Sequence, residues 1–277
     1  MILLSGAPVR STEQGAGLCY RCTLRPRQPV RWAWASDTHV CGRADTSRHG
    51  FRPTRQLERA VAEMRECRPC LVLVNGDLAW ADGRREDYER FLGIMHPLAT
   101  RAALVLTPGN HDRHDTLLAC IAQRAGPAPQ WVAAVVEQPP FRLVALDSSI
   151  DTGTVGGEIG GAQIAWLEAL LASAPDAKTV IFVHHPGQSS SEGCADFQDL
   201  ADLAQRQHCI QAIVTGHDHE YGLGRVGAVH HLRLPAVGFP FQGGIPTGWV
   251  EAAPASAGID LRLRGALVPS LAHLPWR

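Results

Sequence analysis

Lysine is almost missing from this 277-residue chain: Lys178 is the only one among 26 basic residues, and arginine supplies the rest. An excess of charge of either sign is missing as well, since 27 acidic residues leave a formal net charge of -1. With no cationic surplus to neutralise a run of phosphates, neither a nucleic-acid polymer nor an anionic membrane is an expected partner. No apolar run reaches the roughly 18 residues of a membrane span. The opening Met1-Ile2-Leu3-Leu4 lacks the flanking basic and apolar stretches of a signal peptide. A soluble, cytoplasmic protein is therefore expected. Disorder is excluded by 45% hydrophobic and 19% charged residues. A chain near 300 residues buries about 75% of its unfolded surface, enough for a large core without covalent staples.

Eight cysteines are present, and four fall in two C-x-x-C pairs, Cys19/Cys22 and Cys67/Cys70. Such pairs invite a zinc-ribbon reading, but the gap between them far exceeds the roughly 15–20 residues usual for one. Cys70 also opens an apolar run, where a small buried thiol is the ordinary occupant. A disulfide framework is not needed at this length.

Periodicity predicts alternating strands and helices. Strands are expected at Val30–Ser36, Leu71–Val74, Ala102–Thr107, Phe141–Leu146, Lys178–Val183 and Ile210–Val214, with helices starting at Pro53 and spanning Arg84–Met95, Thr116–Arg124, Ala162–Leu171 and Asp196–Arg206. Residues 127–140 read as loop-rich. Beyond Val229 the short runs Val229–Leu234, Gly248–Ala252 and Ile259–Leu263 read as an antiparallel tail. The first 29 residues show no period and are expected to be a loosely ordered extension to one domain, 30–277.

Five of these strands end in polar clusters: Asp37-x-His39, Gly76-Asp77, Gly109-Asn110-His111-Asp112, His184-His185 and Gly216-His217-x-His219. Ligands of open α/β sheets gather at the carboxyl ends of strands, so the clusters are expected to converge. Asp and His suit Zn, Mn and Fe. Residues i and i+2 of a near-extended chain project to one side, so D-x-H and H-x-H can each reach a single centre. Taken singly, each cluster is an ordinary turn, cap or surface histidine. Five in order, each behind an apolar strand, point to metal, because several buried carboxylates and imidazoles are costly without one.

The ordered set resembles the calcineurin-like metallophosphoesterases. The segment Gly157–Leu171, with Gln163, Trp166 and Leu167, is most similar to their class III cyclic nucleotide phosphodiesterase branch. The resemblance implies a four-layer αββα sandwich with a binuclear metal site at the strand C-terminal ends. It implies one ion held by Asp37, His39 and His219, with Asp77 bridging to a second held by Asn110, His184 and His217. His111 would be catalytic, contacting phosphate or protonating the leaving oxygen, while Asn110 and Arg113 would meet the substrate. The cofactors implied are two divalent or mixed-valence ions (Mn, Fe or Zn). Two aspartates and a bridging hydroxide against two divalent ions leave a net positive site, attractive to a phosphoester. The expected reaction is attack by that hydroxide on a small phosphoester, with diesters favoured and cyclic nucleotides as candidates. The alternatives are a phosphomonoesterase using the same site and a metal-binding scaffold without turnover.

Departures narrow the family. Trp80 stands where purple acid phosphatases carry a metal-binding tyrosine, and Asp112 stands where phosphoprotein phosphatases carry glutamate. His185 is expected to buttress rather than bind, because consecutive side chains of an extended segment point apart. The loops 187–193 and 235–248 are candidate borders of the pocket. Nothing specifies an oligomeric state.

Overall fold

A computed structural model describes residues 2–3, 9–25, 29–43, 45–122, 128–187, 192–265 and 270–277. Its elements are β1 (Ile2–Leu3), β2 (Arg10–Gln14), β3 (Gly17–Thr23), β4 (Trp32–Ala35), α1 (Pro53–Cys67), β5 (Leu71–Asn75), α2 (Arg85–Ala99), β6 (Ala103–Thr107), α3 (His114–Ala122), β7 (Val132–Gln138) and β8 (Phe141–Ala145). Then follow α4 (Gly161–Ala172), β9 (Lys178–Phe182), α5 (Phe197–Arg206), β10 (Ile210–Thr215), β11 (Gly222–Val226), β12 (Val229–Arg233), β13 (Trp249–Pro254), β14 (Gly258–Arg264) and β15 (Leu271–Pro275). Two mixed sheets result, ordered β1-β6-β5-β4-β13-β14-β15 and β11-β12-β10-β9-β8-β7-β3-β2.

Burial patterns make this a sandwich of four layers. Strands β4, β5 and β6 pair in parallel and are buried at every position, as expected of strands covered on both faces. The helix α1 starts with Pro53 in its first turn and lays Leu57, Ala60, Val61 and Met64 inward. In the second sheet, alternation divides the residues. Val180, Phe182, Ala212 and Val214 join the core shared with the first sheet, while Ile181, Val183, Ile210 and Ile213 pack with Leu167 and Leu171 of α4 and Leu200 and Leu203 of α5.

Aromatic contacts lock the sheets together. Trp34 meets Phe182 edge-on at 5.2 Å, Trp32 meets Phe141 at 5.6 Å, and Trp32 Nε1 donates to Gln138 Oε1 at 2.9 Å. Truncating either fully buried tryptophan to alanine is worth about 3–5 kcal/mol of stability.

Three expectations need correction. Within the first 29 residues, Gly17–Thr23 is no loose extension: β3 pairs in parallel with β7 and buries Leu18, Cys19, Tyr20 and Cys22. Only Arg21 and Thr23 are exposed, an alternation too short to read as a strand. The loop-rich 127–140 contains β7, a run of small and β-branched residues masked by flanking prolines. The tail is antiparallel in β13–β15, but Val229–Arg233 pairs in parallel with β10 as well as antiparallel with β11. The β11–β12 hairpin folds back so that its more buried strand, β12, lies inside, and the exposed β11 takes the edge. The expected helix end at 123–124 and loop positions 188–191 lie outside the described residues.

The cysteine pairs diverge. Three residues apart on β3, Cys19 enters the core beneath α4 and α5, whereas Cys22 enters the core between the sheets. Burial pushes both thiols up to about 11, which keeps them protonated.

Candidate metal centre

Five parallel-paired strands, β4, β5, β6, β9 and β10, end at one rim, and the residues just beyond them turn sharply inward. Asp37, His39, Asp77, His217 and His219 all adopt left-handed backbone, with φ of 53, 44, 51, 69 and 55°. Asp and His tolerate this region better than most residues, but it still costs of order 1–3 kcal/mol each. Extra hydrogen bonds hold the turns: Asp37 N–H donates to Gly76 O at 3.1 Å, and His39 N–H to Asp77 O at 3.0 Å. At Gly109 a Cβ would collide with the backbone and carboxylate of Asp77, so only glycine lets these two loops approach.

Two groups of donor atoms follow. In the first, ligand atoms of Asp37, His39, Asp77 and His219 all lie within 4.8 Å of one another, and every residue is buried. His39 Nδ1 faces Trp80 O at 3.3 Å and His219 Nδ1 faces Phe239 O at 2.6 Å. Each Nδ1 is thereby the protonated nitrogen, which leaves the two Nε2 lone pairs facing each other at 3.0 Å. Two acceptors turned on one point call for a cation.

The second group is His184, His185 and His217. His184 Nδ1 is held by Asn75 O at 2.8 Å, and its fully buried Nε2 has no hydrogen-bond partner. His217 Nδ1 lies 3.1 Å from Asn110 Oδ1, which brings the predicted Asn110 to the same place. Asp77 stands between the groups: Oδ2 is 3.6 Å from His39 Nε2 and Oδ1 is 3.5 Å from His184 Nε2.

Electrostatics agree with the geometry. Burial alone would raise both carboxyls, yet the facing imidazoles outweigh it: His219 and His184 hold Asp37 down to about 2, and His184 and His39 hold Asp77 well below the usual range. Burial drives His39 down to about 3 and His217 to about 4, keeping them neutral. His184 resists burial and rises to about 10 under the field of Asp77, then Asp37. The two carboxylates demand positive charge, and the orphaned His184 Nε2 marks where it would be coordinated. Carboxylates and imidazoles at these separations fit borderline divalent ions, whose binding would displace the proton of His184.

His111 is anchored beside the first group. Its N–H donates to Asp77 Oδ1 at 3.0 Å, its Nδ1 faces Ala81 O at 2.9 Å, and its ring meets His39 edge-on at 5.0 Å. Arg113 does not join the converging atoms. Its guanidinium pairs with Asp115 at 3.0 Å and lines a cavity of about 820 Å³ with Asp82, His114 and Asp151.

Other residues support the centre without being legible as supports. Buried Asp112 accepts from the N–H groups of Leu78, Ala79 and Gly109 and from Tyr88 Oη, tying the Asp77 loop to the Asn110 loop. Burial, then the charge of Asp77, pushes it up to about 6. Its place inside the Asn-His-Asp motif was the available signal. Both His184 and His185 face inward, their ring centroids 4.9 Å apart, so the turn overrides the expected divergence. His185 Nδ1 is 2.7 Å from Ser148 Oγ, and its Nε2 is buried without a partner. Finding Ser148 required the fold.

Residues 30–221 match the calcineurin-like phosphoesterase family. The chain is 31% identical over 178 residues to a glycerophosphodiester phosphodiesterase of Enterobacter lignolyticus, covering 61% of this chain and 63% of that protein. It is 28% identical over 265 residues to a cAMP/cGMP dual specificity phosphodiesterase of Mycobacterium tuberculosis, covering 92% and 79%. In fold it is similar to a dimetal phosphatase from Danio rerio, with a TM-score of 0.66 at 16% identity over 90% of this chain and 99% of that one.

Proposed function

This chain belongs to the calcineurin-like phosphoesterase family, and from that premise we propose that it hydrolyses small phosphodiesters, cyclic nucleotides among them, at a centre of two metal ions. The observation that carries the reading is Asp77, whose two carboxylate oxygens face separate groups of buried donors. One ion is assigned to Asp37, His39, Asp77 and His219, the other to Asp77, Asn110, His184 and His217. Mn, Fe and Zn all suit this mixture of oxygen and imidazole. Bound there, such ions supply a water whose pKa falls toward about 7 and withdraw charge from the phosphoryl group.

The chain's own groups do the rest. Carbonyls of Trp80, Asn75 and Phe239 fix the tautomers of His39, His184 and His219, so their Nε2 atoms face the centre without reorganising. Ala81 O accepts from His111 Nδ1–H, so an imidazolium at this position keeps Nε2–H free to pass its proton to the departing alkoxide and is left as the neutral ring. Asn110 has a polar atom to spare for a phosphoryl oxygen. The diester preference is supported by relatives named as glycerophosphodiester and cyclic nucleotide phosphodiesterases. A cytoplasmic setting is supported by eight unpaired cysteines, which persist as thiols in a reducing compartment. Among the described residues no helix is long and apolar enough to cross a membrane.

The test is hydrolysis of bis-p-nitrophenyl phosphate beside p-nitrophenyl phosphate with added Mn²⁺, with Asp77→Asn as control. Faster diester cleavage that disappears in the variant is expected. Faster monoester cleavage would replace the diesterase reading, and silence on both with metal bound would remove turnover.

A further inference from the structure

The first donor group carries an aromatic shelf that coordination does not require. Phe239 is fully buried and wedged against His39 and His219, each 4.8 Å from its centroid. Two residues on, Phe241 lies flat on the His219 imidazole, with centroids 4.0 Å apart and planes inclined by 12°, yet 49% of it remains exposed. The Arg48 guanidinium lies 5.1 Å from the centroid of Phe239, and His49 tilts toward the same ring.

A single exposed phenylalanine is usually unremarkable surface. This one differs in what it packs on. His219 is fixed by Phe239 O at 2.6 Å, and Phe241 rests on His219 and packs edge-on against Phe239 at 6.2 Å. One face of the ring is spent on an imidazole that faces the donor atoms of the centre. The exposed remainder is a flat apolar platform beside the place where a phosphoester would be held. Planar bases stack on such rings whatever their sequence identity, and an arginine nearby adds donors for their acceptor edges.

We infer that Phe241 is the platform on which the base of a nucleotide substrate stacks, so that this centre selects nucleoside phosphoesters over diesters whose alcohols are not aromatic. The inference rests on the phosphoesterase reading for the position of the phosphate, but its test does not need turnover. Binding of adenosine 5′-monophosphate and of glycerol 3-phosphate would be measured calorimetrically to the Mn²⁺-supplemented protein, to Phe241→Ala and to Phe241→Trp, with metal content followed in parallel. The native chain should bind the nucleotide at least tenfold more tightly than glycerol 3-phosphate. Phe241→Ala should lose roughly 5- to 150-fold for the nucleotide, the range set by one base–aromatic stack, and remain within about twofold for glycerol 3-phosphate. Phe241→Trp should keep the nucleotide affinity.

Equal affinities in the native chain, or no loss in Phe241→Ala, would overturn the inference. So would an equal loss of both ligands, which would make the ring a prop for His219. Absence of diester hydrolysis would defeat the functional reading instead and leave the binding preference to be judged separately.

Discussion

The two halves of the centre differ in chemistry and in how they are braced. The first sets two carboxylates among two imidazoles, and its histidines are pinned by backbone carbonyls of Trp80 and Phe239. The second is three imidazoles, one of them resting on the Ser148 hydroxyl and another beside Asn110. Formal negative charge is concentrated in the first half and reaches the second through Asp77 Oδ1, 3.5 Å from His184 Nε2, and through the more distant Asp37 Oδ1 at 4.0 Å. With no carboxylate of its own beside Asn110, His184 and His217, the second half should depend more on its supports and on the shared Asp77.

The largest effect should come from breaking the shared group. Asp77→Asn should reduce bis-p-nitrophenyl phosphate hydrolysis to background and lower the bound metal from about two ions per chain to well under one, as seen by elemental analysis. If only one ion is lost, Asp77 belongs to one half. Next, His111→Ala should cost roughly 10²–10⁴-fold in kcat with metal content unchanged. Loss of metal alongside would recast the His111 ring, packed edge-on against His39, as a brace for the first donor group.

A finer probe separates the halves. Ser148→Ala removes the partner of His185 and should weaken one of two metal-binding steps by about 10–100-fold in a chelator titration, leaving the other unchanged. Equal weakening of both steps would mean that the halves are one unit.

The smallest effect lies away from the donors. His114 Nε2 sits 2.5 Å from Asp147 Oδ2, whose charge raises the imidazole to about 8 against the opposing effect of burial. A raised folded-state value means the pair stabilises fully below the ordinary value near 6.5 and loses that contribution as pH climbs through about 8. The advantage of the native chain over His114→Gln in urea unfolding should therefore be about 2 kcal/mol at pH 6 and shrink strongly by pH 9. A difference that does not vary with pH would assign the effect to packing.

Much of the centre was legible because its signal is local. Each of these residues follows a buried strand within a few positions, and parallel strands within a sheet end on the same side, so Asp37, His39, Asp77 and Asn110 on one sheet and His184, His217 and His219 on the other could be read in order. Strands whose environment is not alternating stayed hidden. In β3 the alternation is confined to the exposed Arg21 and Thr23, and β7 is buried almost throughout and lies between prolines, so neither carries enough of the polar–apolar rhythm that announces a strand. The C-x-x-C pairs erred in the opposite direction as a signal, since spacing that suggests a shared ligand becomes opposite faces once Cys19 and Cys22 lie on a strand.

By itself, then, the sequence determined the alternation of strands and helices, the residue types at the strand ends and the kind of ion they suit, because these follow from backbone period and side-chain chemistry. Tertiary structure alone decided that Asp77 faces two groups, that His185 turns inward and that Asp112, Ser148 and Phe241 surround the donors. Those facts depend on left-handed turns and on loops distant in the chain meeting at one rim, and neither leaves a periodic trace in the residues that make them.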